Sequence, residues 1–233
     1  SSCNNDFNPA RLERYLALAH DAGITPVILL TKADQTDDPD VYVDQARSLG
    51  RDLEVVALDA KNGDVSAALA PWCGKGQTVA LAGSSGVGKT TIANALTGGS
   101  ALTQDIREDD ARGRHTTTGR SLHRMQTGGW LIDTPGMRGL GVAEVAFGID
   151  ATFPEISELA AMCKFRDCEH ESEPGCAVQA AIKSGGIDPE RLKRFKKLKL
   201  ENQHATDTIA QSRDRSRKLG KMYKSALSKK NGR

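Results

Sequence analysis

The stretch GSSGVGKT, residues 83–90, fits the phosphate-loop pattern G-x-x-x-x-G-K-[ST] at every position. It follows the apolar run TVALA at 78–82 and leads into the helical pattern TTIANAL at 90–96. Glycines let the backbone curl so that successive N–H groups point at phosphate oxygens, and the positive end of the following helix adds to the attraction. A plain glycine turn is the alternative. The stretch therefore predicts a strand, loop and helix that bind a nucleotide phosphate.

Individual side chains of this loop have predicted roles. We expect Lys89 to reach the β and γ phosphates, where its charge also makes it a catalytic residue, and Thr90 to ligate Mg²⁺. The predicted phosphate contacts are Gly83, Ser84, Ser85, Gly86, Val87, Gly88, Lys89, Thr90 and Thr91.

A second motif, WLIDTPG at 130–136, is an apolar strand that ends in D-x-x-G about forty residues after the loop. In a nucleotide hydrolase the aspartate, here Asp133, holds Mg²⁺ through water, and the Gly136 N–H senses the γ-phosphate. Alone, D-x-x-G is usually a turn. Its distance from a phosphate loop favours the functional interpretation.

The segment GRHTTT at 113–118 lies between these motifs and is predicted to be a loop. A threonine here could add its hydroxyl to Mg²⁺ only when the γ-phosphate is present. The spacing does not choose among the three threonines, and a surface turn or a strand edge would also fit.

The stretch VILLTKAD at 27–34 reads as a buried strand followed by Thr31, Lys32 and Asp34. A carboxylate at Asp34 can accept the N1–H and 2-amino hydrogens of guanine, whereas adenine leaves it unpaired. The stem of Lys32 can lie over the base. A second strand end, LDAKNG at 58–63, supplies Ala60 and Lys61, and the Ala60 N–H could meet guanine O6.

The fold is predicted to be α/β, with a parallel sheet covered by helices on both faces, because apolar strand-like runs alternate with helical patterns. Ligands of such sheets bind at the carboxyl ends of the strands, where these motifs lie. Beyond residue 140 the pattern changes to short helical pieces, which predicts one domain over 1–145 and a small, mostly helical one over 146–233. The last of these helices carries an apolar stripe of Leu192, Phe195 and Leu198. The predicted strands are 26–31, 54–59, 77–82 and 129–133, and the predicted helices of the first domain are 9–22, 39–49, 64–70 and 88–97.

Three cysteines and a histidine, Cys163, Cys168, His170 and Cys176, fall within fourteen residues. Tetrahedral Zn²⁺ takes Cys₃His sets in structural sites, and four protein ligands leave no open position for catalysis. A disulfide framework is the rival, which a cytosolic chain with two isolated cysteines disfavours. We therefore expect one structural zinc ion, with the remaining two cysteines as free thiols.

Charge divides the chain. Residues 1–190 carry 17 Lys and Arg against 27 Asp and Glu, whereas residues 191–233 carry 15 against 3. A basic tail attracts phosphate backbones, so we expect a nucleic-acid partner, with a solvated terminus as the alternative.

No apolar run reaches the roughly 18 residues of a membrane span, and no signal-peptide order is seen, which predicts a cytoplasmic protein without membrane contact. Ser1 in place of methionine suggests removal of an upstream segment.

The order TKAD, DAK, GSSGVGKT, HTTT, DTPG resembles that of the circularly permuted GTPases. With the zinc module and tail, nearly the whole chain is similar to the small-subunit ribosome biogenesis GTPases of the RsgA (YjeQ) family. The resemblance implies a P-loop GTPase three-layer sandwich that hydrolyses GTP to GDP, is stimulated by the ribosome, and binds rRNA as a late maturation factor of the 30S subunit. It also implies that Thr117 is the switch residue, which joins Thr90 and Asp133 at Mg²⁺, and that His115 assists water attack.

The chain departs from the family pattern at several points. Thr31 stands where asparagine is usual, Asp59 where serine is usual, and Met137 where Ras-like enzymes place the glutamine that orients water. The N-terminal oligonucleotide-binding barrel usual in the family is absent from this sequence.

Two other functions would also fit the motifs: a P-loop ATPase or kinase with an RNA-binding zinc module, and a non-hydrolysing RNA-binding scaffold. We expect a monomer, although the sequence carries no signal of oligomeric state.

Overall fold

The computed structural model describes residues 1–99, 121–133 and 141–231, and over most of the last two dozen residues it describes the backbone alone. The chain divides into two compact units. The first unit comprises Ser1–Tyr15 and Thr25–Leu140, and the second comprises Leu16–Ile24 and Gly141–Arg233. The first helix therefore contributes residues to both units.

Strands and helices alternate in the first unit, which confirms the α/β prediction. The predicted strands are each one to three residues shorter in the structure, because pairing ends where the chain turns into the loops. The helices are α1 (Pro9–Asp21), α2 (Asp40–Arg47), α3 (Val65–Leu69) and α4 (Lys89–Thr97), and the strands are β1 (Val27–Leu30), β2 (Glu54–Ala57), β3 (Thr78–Ala80), β4 (Ser121–Arg124) and β5 (Trp130–Asp133).

The described strands form two sheets. In one, β1 pairs with β2 in parallel, and in the other the order is β3-β5-β4. Strand β5 is parallel to β3 but antiparallel to β4, so the expectation of a wholly parallel sheet is wrong for β4. A tight turn joins β4 and β5, in which the Met125 N–H donates to the Gly129 carbonyl at 2.9 Å and Gly128 has φ 90°. Such a short turn makes an antiparallel pair, whereas parallel strands need a crossover.

Parallel pairing places the ends of the strands that carry the motifs at common edges. Within the first sheet, the carboxyl ends of β1 and β2 lie at the same edge, and within the second sheet the carboxyl ends of β3 and β5 do so. Helices α3 and α4 and both sheets contribute to one apolar core, which fixes these edges. Its buried members are Leu58, Val65, Leu69, Cys73, Ile92, Ala93, Leu96, Met125 and Leu131.

The second unit is helical, as the change of pattern after residue 140 predicts. The rings of Phe153 and Phe195 meet edge to face at its centre, with centroids 5.4 Å apart. Its helices are α5 (Ala146–Thr152), α6 (Pro154–Ala160), α7 (Ala177–Lys183) and α8 (Pro189–Asn231). The predicted apolar stripe of the last helix, Leu192, Phe195 and Leu198, is buried. None of the described helices is apolar enough over a sufficient length to cross a bilayer.

Arg191 anchors α8 to the rest of the second unit. Its Nε donates to Glu155 Oε1 at 2.5 Å and its Nη2 to the Thr152 carbonyl at 2.9 Å. Its guanidinium lies 4.6 Å from the centroid of the Phe153 ring. The side chain is 10% exposed, and these partners satisfy a charge that would otherwise be costly to bury.

Replacing Gly148 with alanine should destabilise the second unit. Helix α5 packs so closely on α1 that a Cβ at Gly148 would lie 1.9 Å from the Ala17 carbonyl oxygen and 2.8 Å from the Asp21 nitrogen. Overpacking against backbone cannot be relieved by a rotamer change, so we expect a loss of about 3 kcal/mol in the free energy of unfolding. Urea titration followed by circular dichroism at the helical band measures it. The control is Gly141→Ala, which meets open space; equal midpoints for both variants would contradict the packing argument.

Candidate nucleotide site and metal centre

The phosphate loop between β3 and α4 is curled as its glycines permit. Gly86 and Gly88 have φ 80° and 93°, a left-handed backbone that favours glycine. The Lys89 ammonium folds back over the loop and donates to the carbonyls of Gly83 at 2.8 Å and Ser84 at 2.6 Å. These neutral acceptors hold the cation at the loop, where phosphate oxygens would make stronger, charge-assisted bonds.

Thr31 joins the TKAD element directly to this loop. Its Oγ1 donates to the Val87 carbonyl at 2.7 Å in a buried bond, and the residue is 2% exposed. The same side chain fills the space beside Gly88, whose Cβ position lies 3.6 Å from Thr31 Cγ2. The stretch after β1 and the phosphate loop therefore pack directly against each other, although 56 residues separate them in the chain.

The remaining TKAD residues form a short turn at the end of β1. Lys32 has φ 58°, a left-handed conformation rare for a residue with a side chain, and it begins the short 3₁₀ turn Ala33–Gln35. Asp34 lies in this turn and is exposed. The Ala33 N–H reaches the Leu58 carbonyl at 3.5 Å, which connects the turn to the end of β2.

Asp59 orders the loop that carries Ala60 and Lys61. Its Oδ1 accepts the Lys61 N–H at 2.8 Å and the Asn62 N–H at 3.2 Å, and its Oδ2 accepts the Asn62 side-chain amide at 2.8 Å. These bonds, the Lys61 N–H foremost, hold the pKa of Asp59 below its usual range. An aspartate here serves as the acceptor of a local turn, a role that the sequence interpretation missed and that the D-x-K-N spacing could have indicated.

Only some of the predicted magnesium and switch residues lie in the part of the chain that the structure describes. Thr90 is exposed in the first turn of α4, and Thr91 is half-buried beside it. Asp133 ends β5, next to the loop after β3, because Ala80 pairs with Ile132. The predicted residues His115, Thr117 and Gly136 lie outside the described part of the chain.

Helix α1 also reaches the phosphate loop, which the motifs did not predict. Arg11 is exposed on the first turn of α1, and its Nη1 donates to the Ser84 hydroxyl. Ser84 thus meets Lys89 through its carbonyl and Arg11 through its side chain. No sequence signal marks this contact, because it joins two segments 73 residues apart.

In the second unit the three cysteines and the histidine converge. Their ligand atoms all lie within 4.8 Å of one another. Cys163 Sγ is 3.9 Å from Cys176 Sγ and 3.6 Å from His170 Nδ1, and Cys176 Sγ is 3.5 Å from His170 Nδ1. Zinc bonds of about 2.3 Å to sulfur and about 2.1 Å to nitrogen give tetrahedral edges of about 3.8 Å between sulfurs and about 3.6 Å between sulfur and nitrogen. The cluster therefore has the dimensions and donor set of a zinc site.

The loop around His170 is held by side chains that are not ligands. Glu173 accepts the N–H groups of Glu169 and Glu171, each at 2.8 Å, and such backbone donors lower the pKa of Glu173 to about 2. The Gln179 amide donates to the His170 carbonyl at 2.7 Å. His170 itself adopts φ 57°. These outer bonds fix the ring toward the sulfurs, as the second shell of a metal site does.

The close packing of these ligands shifts their pKa values. Burial, assisted by the neighbouring thiols of Cys176 and Cys163, raises the pKa of the Cys168 thiol to about 11. Burial and the positive charges of Lys196 and Lys199 lower the pKa of His170, so the imidazole is held in the neutral form that binds metals. Thiolates this close repel one another, and a bound cation relieves that repulsion while displacing the protons.

A family model described as RsgA GTPase matches residues 1–143 of the chain. Among curated relatives, the small ribosomal subunit biogenesis GTPase RsgA of Mesorhizobium japonicum is 62% identical over 210 residues, covering 88% of this chain and 61% of the relative. The protein of the same name numbered RsgA 2 from Vibrio vulnificus is 48% identical over 230 residues, covering 98% and 66%. This chain thus spans less than two thirds of the length of these relatives.

Solved structures agree on the fold. YjeQ from Thermotoga maritima has a TM-score of 0.59 at 24% identity, with 85% of this chain and 67% of that chain covered. YloQ, described as a circularly permuted GTPase, has a TM-score of 0.58 at 28% identity, with 88% and 66% covered. The predicted permuted order of motifs is confirmed.

Zinc content tests the metal centre. We expect close to one zinc ion per chain, and we expect Cys168→Ser to weaken zinc affinity at least about 100-fold because a serine hydroxyl replaces a thiolate ligand. Elemental analysis after dialysis and titration with a chromophoric chelator measure both. Cys73→Ala is the control, since it removes a buried thiol from the other unit. Retention of zinc by Cys168→Ser at the level of the control would contradict the assignment.

Proposed function

The chain belongs to the RsgA GTPase family, and we propose that it hydrolyses GTP to GDP and phosphate as a late maturation factor of the small ribosomal subunit. The observation that carries this proposal is the bond from Thr31 to Val87, which fixes a base-reading element beside a phosphate loop. The names of the curated relatives support the ribosomal part. We place the GTPase function in residues 1–145 and the zinc-binding function in 146–233.

Guanine selection falls to the turn after β1. Asp34 is exposed there and can accept both hydrogens on the Watson–Crick edge of guanine. The Lys32 stem covers the base, and the Ala60 N–H, in the loop ordered by Asp59, meets the O6 carbonyl. Lys61 completes this loop. An ATPase or kinase is the rival assignment, and it would leave the TKAD turn without a ligand.

Phosphate binding falls to the loop and to Lys89. The ammonium exchanges its bonds with the Gly83 and Ser84 carbonyls for bonds with the β and γ phosphates, while the N–H groups of the curled loop bind the other oxygens. Thr90 and Asp133 are hard oxygen donors of the kind that Mg²⁺ prefers, and they would hold it with Thr117. When bound, the ion neutralises charge that develops between the β and γ phosphates.

Hydrolysis needs an oriented water, and Met137 stands where a glutamine would orient it. We assign that task to His115, with Gly136 sensing the γ-phosphate. Slow intrinsic turnover follows from the missing glutamine, and the stimulation by the ribosome that the family resemblance implies would raise it.

The second unit supplies the contacts with the subunit. The zinc ion is structural, because four protein ligands fill its coordination sphere. Helix α8 continues to Asn231 through the basic tail, which carries 15 Lys and Arg against 3 acidic residues over 191–233. Such an excess attracts the rRNA backbone. The protein would act in the cytoplasm, where its partner is found.

Turnover of GTP with and without purified small subunits tests the proposal. We expect the subunits to raise the rate, and we expect Lys89→Ala to lower kcat/KM at least about 100-fold because transition-state charge loses its cation. The control is Lys75→Ala, another exposed lysine of the first unit. Competition between ATP and GTP distinguishes the GTPase from the rival ATPase or kinase. Displacement of GTP by an equal concentration of ATP would refute guanine specificity. A subunit without effect on rate or binding would refute the ribosomal assignment.

Thr31→Val tests the hydrogen bond from Thr31 to the Val87 carbonyl separately from the packing of Thr31 beside Gly88. Valine keeps the shape beside Gly88 but leaves the buried Val87 carbonyl without its donor, at a cost of about 1–2 kcal/mol. We expect GDP affinity to fall about tenfold, corresponding to about 1.4 kcal/mol. Fluorescent GDP titration measures this affinity. Thr31→Ser, which keeps the hydroxyl, is the matched control; a serine variant as weak as the valine variant would show that the methyl group matters instead.

A further inference from the structure

The segment between the first two metal ligands displays an aromatic ring between two cations. Phe165 is 41% exposed and Met162 is 65% exposed, whereas Phe153 and Phe195 of the same unit are buried and Phe147, on α5, is exposed. Lys164 and Arg166, on either side of Phe165, are exposed. We call Met162, Lys164, Phe165 and Arg166 the aromatic–cation patch.

The backbone beneath the patch is fixed at several points. Cys163 and Cys168, two of the candidate metal ligands, lie on either side of Lys164, Phe165 and Arg166, and the Lys164 N–H donates to the Gly175 carbonyl at 3.1 Å. Gly175, with φ 78°, lets the two segments approach, because a Cβ there would lie 3.0 Å from Lys164 Cβ. The ring is therefore presented by a loop that loses little entropy when a ligand binds.

The charge next to the Phe165 ring is positive. The Lys164 ammonium lies 5.4 Å from the centroid of the Phe165 ring. Among nearby acids, Glu173 is engaged by backbone N–H groups and Glu171 by Lys196 at 3.1 Å. Asp167 and Glu169 remain exposed, and they disfavour a partner that covers the whole loop with phosphate. The arrangement suits one planar group with phosphate on either side.

We propose that the aromatic–cation patch binds an unpaired RNA nucleotide, whose base stacks on Phe165 and whose flanking phosphates pair with Lys164 and Arg166. Arginine and lysine beside an aromatic ring combine phosphate attraction with stacking, which is the chemistry of single-strand recognition. Base faces are hidden within an A-form duplex, so a bulge, loop or end is the required partner. The identity of that RNA as ribosomal rests on the proposed function, whereas the stacking does not.

Comparison of single-stranded and duplex RNA tests the patch. The full chain, loaded with zinc, is titrated into a labelled RNA of about 12 nucleotides, within the range that one single-strand site covers, and into a blunt duplex of the same sequence. The basic tail binds both by charge, so the ratio of the two affinities isolates stacking at constant salt. We expect Phe165→Leu to weaken single-strand binding about tenfold and to leave duplex binding unchanged.

Matched variants keep the outcome interpretable. Phe165→Trp should retain single-strand binding, since a larger ring stacks at least as well, and Phe147→Leu, at a ring 71% exposed on α5, should behave as the wild type. Zinc content confirms that each variant keeps its loop. Equal losses for Phe165→Leu and Phe147→Leu, equal losses on both RNAs, or no loss on either would overturn the proposal. Weaker binding to the small subunit with unchanged RNA binding would also overturn it in favour of a protein partner.

Turnover of GTP without ribosomes separates this proposal from the proposed function. Phe165 lies in the second unit, so Phe165→Leu should leave intrinsic hydrolysis unchanged. A wild-type chain that fails to hydrolyse GTP but shows the single-strand preference would refute the GTPase proposal alone.

Discussion

The nucleotide site depends on one buried hydrogen bond, from the Thr31 hydroxyl to the Val87 carbonyl. At 2.7 Å it joins the turn that we propose reads the base to the loop that we propose holds the phosphates. A buried carbonyl that loses its donor is costly, so the bond favours a single arrangement of the two segments. The Thr31 hydroxyl suffices for this bond, although the family resemblance makes asparagine the usual residue at this position.

The permuted chain tolerates this arrangement because position in a parallel sheet, not position in the sequence, decides which loops meet. The carboxyl ends of β1 and β2 lie at one edge, as do those of β3 and β5. A circular permutation moves the chain ends but keeps every strand in its place in the sheet, so the same groups reach those edges. What a permutation must preserve is the set of long-range bonds between loops, such as those made by Thr31 and, through Ser84, by Arg11.

Sequence reasoning identified the elements whose signals are local. The phosphate loop, the Cys₃His spacing and the apolar stripe of Leu192, Phe195 and Leu198 each follow from a periodicity or a motif. Strand β4 was missed because its four residues, SLHR, carry little apolar character, although the glycines at 128 and 129 are a hairpin signal. The contacts of Arg11 and Thr31 depend on tertiary proximity, which no window of sequence contains.

The position of helix α1 in the chain affects the order in which parts of the protein can fold during synthesis. Its first half belongs to the first unit, but Ala17, fully buried, packs in the core of the second unit with Val142, Ile149 and Phe153. During synthesis those partners leave the ribosome more than a hundred residues after the helix does. A helix this short is marginal on its own in water. One face of α1 must therefore wait, unburied, until the chain has been made well beyond the phosphate loop.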